Sequence, residues 1–182
     1  MIHRRCVSRF AAVAFVFAIV LPVRAQPALE YSVKAALLLN FARFIEWPEG
    51  AFATERTPVD VCVLAPNPFG DALAQALEGE TIGNRPLTLR EVRSSAESGG
   101  CHLLFVPAGA ETPALLREKS AHTITVGESN RFEDMGGAVR FVLEGGRVRF
   151  NVNLQPVEER GVRISARMLK LANRVERATP PK

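Results

Sequence analysis

The longest apolar pattern in the chain recurs at three- and four-residue spacing. Val33, Ala36, Leu37, Phe41, Phe44 and Ile45 mark a stripe within Leu29–Glu46, and Leu38 and Leu39 widen it. That spacing predicts a well-buried helix. Trp47-Pro48 should end it, because the residue before a proline avoids the helical region. Val59–Leu64 is instead a continuous β-branched run, as in a strand covered on both faces. Pro66-Asn67-Pro68 stops it. Phe69–Leu77 reads as a short amphipathic helix, with Ala72, Leu73, Ala76 and Leu77 inward and Gly79 beyond its end.

Leu87–Val92 alternates like a second strand, and Cys101–Val106 reads as a third, buried one. Thr112–Ser120 is a helix candidate, with Thr112 as cap and Pro113 at the first position. Thr123–Val126 is a short strand. Val139–Leu143 and Val148–Leu154 flank Glu144-Gly145-Gly146-Arg147, a hairpin signal. Ser165–Glu176 is expected to finish as a helix, with Ile164, Met168, Leu171 and Val175 on one side. Alternating strands and helices predict an α/β fold. Its largely parallel sheet should be flanked by helices and carry a C-terminal antiparallel hairpin and a terminal helix.

The first 25 residues are of another kind. Arg4, Arg5 and Arg9 precede an apolar run from Phe10 to Leu21, which Pro22 breaks. Val23-Arg24-Ala25 suits a cleavage site, so residues 1–25 read as a secretory signal peptide that leaves Gln26 first. An uncleaved anchor is the alternative. Residues 26–177 are then expected to be one domain and 178–182 a disordered tail. The style of the leader suggests a periplasm, and no later apolar stretch is long enough to span a membrane.

The leader also explains the charge. The whole chain of 182 residues has a formal charge of +4, with 23 basic and 19 acidic residues. Four of the arginines lie in residues 1–25, which hold no acid. The remainder is balanced, so no electrostatic case for a nucleic-acid partner survives. Export leaves Cys62 and Cys101 in an oxidising compartment, which points to a disulfide. Two buried free thiols that merely pack are the alternative. His102 and His122 add no metal-ligand spacing, so no metal or cofactor is expected.

Tests for catalytic chemistry return little. Gly127-Glu128-Ser129-Asn130-Arg131 begins like a nucleophile elbow, but Arg131 stands where the second glycine belongs. Phosphate-binding glycine motifs are absent. Glu158 and Glu159 are adjacent and would diverge on a helix. One site is suggested by geometry, because ligands favour the carboxyl ends of parallel strands. Those ends bring in Asn67 and Phe69, Pro107-Ala108-Gly109, and Glu128 and Ser129 as a candidate ligand cleft. Arg167, Lys170, Arg174 and Arg177 would share one face of the last helix and form a candidate partner surface, against a merely solvated face. Trp47, the only tryptophan, is either a partner anchor or a packing residue at the helix exit.

Several segments together resemble the YfiR/HmsC-like family. They are Tyr31–Ala36 with Asn40–Pro48, Cys62-Val63-Leu64 with Asn67–Gly70, and Cys101–Val106. Thr125–Glu128 with Phe132 and Gly136-Gly137 follows, and then Arg149–Leu154 with Ile164–Ala166 and Leu169–Ala172. The resemblance implies a periplasmic, non-enzymatic repressor. Such a protein binds the periplasmic sensor region of an inner-membrane diguanylate cyclase, and an outer-membrane lipoprotein can sequester it. It also implies a homodimer and a Cys62–Cys101 disulfide. A second cysteine pair that some relatives carry near the terminal hairpin has no counterpart here. A periplasmic small-molecule binder for sensing or uptake is the competing reading.

Overall fold

The computed structural model describes residues 25–117 and 122–177. The expected leader (all but Ala25), the expected tail at 178–182 and positions 118–120 of the expected third helix lie outside the described residues. Helix α1 spans Ala25–Phe44 and is followed by the two-residue strand β1, Ile45–Glu46. Strand β2 is Val59–Leu64, α2 is Ala72–Leu77, and β3 (Thr81–Ile82) turns into β4 (Arg85–Val92). Then come β5 (Leu103–Val106), α3 (Pro113–Arg117) and β6 (Ile124–Gly127). The hairpin β7 (Val139–Glu144) and β8 (Arg147–Asn153) leads to α4 (Leu154–Glu159), β9 (Arg163–Ile164), α5 (Ala166–Leu169) and β10 (Arg174–Glu176).

Among the described residues the main sheet has eight strands in the order β10-β8-β7-β6-β5-β2-β4-β3. The run β7-β6-β5-β2-β4 is parallel, and β8 pairs antiparallel with β7. The apolar runs of β2 and β5 are thereby explained. Val59, Val61, Val63, Leu103 and Phe105 join the larger core with α1, while Cys62, Leu64, Leu104 and Val106 pack with Leu116 and Phe132 on the other face. Each strand is apolar at consecutive positions because both of its faces are covered.

Local chemistry sets several boundaries. Helix α1 ends before Trp47-Pro48 because Ile45 and Glu46 leave it to pair with Ile164 and Arg163 of β9. The Thr112 hydroxyl accepts from the Leu115 amide at 3.1 Å, so Thr112 caps α3 as expected. Phe132 fills a slot between two glycines. A Cβ on Gly127 would lie 2.2 Å from its ring and one on Gly137 would lie 2.1 Å away. The Gly127 and Gly136-Gly137 pattern is therefore a packing requirement. The Cys62–Cys101 disulfide is formed and ties β2 to the entry of β5, and Arg90 of β4 donates to Cys101 Sγ at 3.2 Å.

The C-terminus departs from expectation. The expected helix Ser165–Glu176 is a single turn, α5, followed by strand β10. Met168 is buried as expected, but Leu171 is 66% exposed and Val175 41% exposed. The free edge of β8 competes instead. The Asn173 amide donates to the Phe150 carbonyl, and Arg174–Glu176 run parallel to Asn151–Asn153. Three apolar residues at helical spacing are too few to outweigh those ladder bonds.

Candidate functional site

A cleft of about 790 Å³ opens where the carboxyl ends of β5 and β6 meet α1 and the β7–β8 hairpin. Its wall on the helix side is built from one turn of α1. Lys34 sits in register with the buried stripe Leu38, Phe41 and Ile45, so helical spacing drives a charge into the interior. The chain compensates it twice. Lys34 Nζ lies 2.5 Å from Glu30 Oε1, one turn earlier, and 2.5 Å from Glu128 Oε2 after β6. The ammonium also sits 4.4 Å from the centre of the Tyr31 ring.

Tyr31 donates its hydroxyl to Glu128 Oε1 at 3.0 Å, and the Ala108 amide approaches the same oxygen at 3.4 Å. Burial and the adjacent Glu128 carboxylate hold the Tyr31 phenol far above its ordinary range. On the hairpin side, Arg140 donates to Glu133 Oε2 at 2.6 Å, and Arg174 of β10 lies 3.6 Å from that oxygen. Glu133 is buried, and its other oxygen has no hydrogen-bond partner. Asn173 bridges Glu144 at 3.0 Å and Asn151 at 3.3 Å.

The structure gathers only part of the expected cleft set. Glu128 lines the cleft, with Ala108 and Asn130 from the expected loops. Phe69 lies behind it, buried edge-on against Tyr31 at 5.3 Å and Phe105 at 4.7 Å. Asn67 is used locally, its side-chain oxygen accepting from the Phe69 amide at 2.9 Å. The Ser129 hydroxyl is buried without a hydrogen-bond partner. His102 precedes β5 while Ser129 follows β6, so these residues stand at opposite ends of parallel strands. Sequence reasoning missed Lys34, Tyr31, Arg140 and Glu133. For Lys34 there was a signal, namely a charge in register with a buried stripe.

The expected cationic face does not exist as one surface. Arg167 lies on α5 with its guanidinium 5.9 Å from the Phe44 ring centre, Lys170 follows that helix, and Arg174 belongs to β10. Trp47 sits at the other end of the sheet. Its indole N–H donates to the His122 carbonyl at 3.2 Å, and its ring meets His102 and Phe52 edge-on at 5.8 and 5.9 Å. His102 accepts from the Asp60 amide through Nδ1 at 3.0 Å, and its Nε2 lies 3.2 Å from the Ala51 carbonyl. Burial lowers the His102 pKa.

The model of the YfiR/HmsC-like family matches residues 31–173. The chain belongs to that family. Members of the YfiR/HmsC-like family are periplasmic, non-catalytic regulators linked to diguanylate cyclases. The match runs from Tyr31 in the cleft wall to Asn173 at its rim and takes in every lining residue except Glu30 and Arg174. Two solved structures share the fold. One is the ABC domain in complex with L-Trp from Streptococcus pneumonia, at 10% identity and a TM-score of 0.50. The other is a conserved domain protein from Vibrio cholerae O1 biovar El Tor, at 9% identity and a TM-score of 0.52. Each match covers 78% of this chain, which spans 60% of the length of either structure. Among the described residues, no helix is long and apolar enough to cross a membrane.

Proposed function

We propose that this chain docks on the periplasmic sensor region of an inner-membrane diguanylate cyclase and holds the enzyme inactive. Cyclic-di-GMP then stays low and biofilm formation is restrained. The observation that carries this reading is the family match over residues 31–173, which takes in both cores and most of the strand-end cleft. A lipoprotein that sequesters the regulator and a second copy of the chain are the further partners expected of it. The test is a reconstitution. Purified chain is added to membranes containing a diguanylate cyclase with its periplasmic region, and cyclic-di-GMP formed from GTP is followed. Production should fall with added chain, and production that never responds would sink the reading.

A second reading rests on the cleft itself. A volume of about 790 Å³ falls in the range of small-molecule sites, and one protein of the same fold is described in complex with L-Trp. A sensor that binds a small molecule in this cleft would be recognised by a rise in melting temperature with L-Trp or another free amino acid. Repression without any such shift favours the first reading.

A further inference from the structure

Strand β7 is paired on both sides only at its beginning. Val139 and Arg140 face Val126 and Gly127, and there β6 ends. On the other side β7 remains paired with β8 as far as Glu144. Phe141–Glu144 are therefore an open edge within the sheet, and these four residues line the 790 Å³ cleft. The cleft takes in Lys34 from the α1 face. It also takes in Arg140, which points to the opposite face from its neighbour Phe141. A lining drawn from both faces is what a gap in a sheet produces, and a groove on one face would not.

The register says which atoms are open. The hairpin turns through Gly145-Gly146, with φ of 56° and 72°, so Glu144 and Arg147 form the hydrogen-bonded closing pair. Alternation along the antiparallel ladder then turns the N–H and C=O of Leu143 away from β8. The Phe141 carbonyl points the same way. Outside the strand ladders, no backbone hydrogen bond among the described residues reaches Phe141 or Leu143. The local charges are paired with one exception. Lys34 is shared by Glu30 and Glu128, Arg140 and Arg174 are engaged by Glu133, and Glu144 meets only the Asn173 amide. The three acidic and three basic residues that line the cleft balance, and Glu144, at the end of the open edge, is the one among them in no ion pair among the described residues.

We infer that this gap is a docking edge for an extended, lysine- or arginine-bearing segment of a protein partner, which adds as a short strand beside β7. Four residues of exposed edge admit a strand of roughly 13 Å. Main-chain bonds to Leu143 and Phe141 supply the affinity, as in other cases of strand addition. The partner's basic side chain meets Glu144. The inference rests on the regulatory reading for the identity of the partner and on the sheet geometry for the edge itself.

The test uses the full chain and a capped hexapeptide of alternating valine and lysine, followed by amide NMR and hydrogen exchange. The expected result is slowed exchange at the Leu143 amide, with β3 at the far edge unchanged. Leu143→Pro removes an outward N–H that no ladder bond to β8 uses, and should weaken the peptide at least tenfold. Leu143→Ala keeps that N–H and should bind nearly as the parent does. Unchanged exchange at Leu143, or equal binding by the proline variant, overturns the proposal. Should the proline variant fail to fold, the exchange measurement on the parent chain decides alone. A cyclase sensor domain is then added in place of the peptide. Binding without protection at Leu143 would refute the edge and spare the regulatory reading. Protection by the peptide with no binding of the cyclase domain would do the reverse.

Discussion

The Lys34 ammonium lies 2.5 Å from the Glu128 carboxylate, 94 positions later in the chain. The contact fastens the first helix to the carboxyl end of β6 and closes one wall of the cleft. Lys34 is 5% exposed, so neither charge can be stranded cheaply. Lys34→Met should cost about 3–5 kcal/mol of stability, because it leaves a carboxylate nearly buried without its partner. Combining it with Glu128→Gln should return part of that loss. Urea melts of the two single variants and the double variant measure the coupling, and strict additivity would show that the pair does not interact.

Tyr31 is the only tyrosine, so its ionisation can be followed by absorbance without interference. Burial and Glu128 raise its pKa in the folded protein. The unfolded phenol has a pKa of about 10. A group whose folded pKa is raised stabilises the fold fully below the unfolded value and loses that contribution as pH climbs beyond it. The native protein should therefore show no phenolate band at pH 10, and stability should decline above that pH. A normal phenolate titration in the folded state would contradict this placement.

His102 works in the acid direction. Its folded pKa is lowered, chiefly by burial, while the Ala51 carbonyl and Asp60 oppose that shift. The unfolded imidazole titrates near about 6.5, so the unfolded chain takes up the proton first. The contribution to stability is present above that pH and is lost as pH falls through it toward the folded value. Protonation would also put the ring's second proton on Nδ1, which now accepts from the Asp60 amide. Melting temperatures at pH 7.5 and pH 5 should differ more for the parent than for His102→Gln.

Trp47 is a half-buried member of an aromatic cluster, with its N–H satisfied by His122. Trp47→Ala should cost about 3 kcal/mol, at the lower end for large aromatic truncations because part of the indole remains in water. A thermal melt beside a cyclase-binding assay separates the two roles. An unchanged melting temperature with abolished binding would assign Trp47 to the interface.

The disulfide joins positions 39 residues apart. In the loop-entropy picture such a bridge contributes roughly 4 kcal/mol. A Cys62→Ser, Cys101→Ser double variant should lose a similar amount in denaturant melts. Two free thiols in the denatured, unreduced parent would mean that the bridge does not form in solution.

Much of the architecture was legible in residues. Two-sided burial writes consecutive apolar positions, so β2 and β5 stood out. Val59–Leu64 was matched to the residue, and the Val148–Leu154 strand to within a residue at each end. The hairpin showed itself through Gly145-Gly146, where both residues need positive φ. Glu128 was reachable because it follows a strand that had been recognised. Lys34 stood in register with a buried stripe, but its partner Glu128 lies 94 positions away, and Arg140 looks like an ordinary solvated charge until its contact with Glu133 is known.

The sequence by itself determined the class of fold and its parallel centre, because burial period and turn chemistry are local properties, whereas the choice between a Cys62–Cys101 bridge and two buried thiols was settled by the structure. Only the tertiary structure decided the fate of Ser165–Glu176. Apolar spacing there suits a helix, but the vacant edge of β8 offered backbone bonds that no local pattern reveals. It also decided that β6 pairs with β7 only at Val139 and Arg140 and leaves Leu143 without a neighbour on that side. Strand ends are set by which neighbour is present to pair, and that is a property of the assembled sheet.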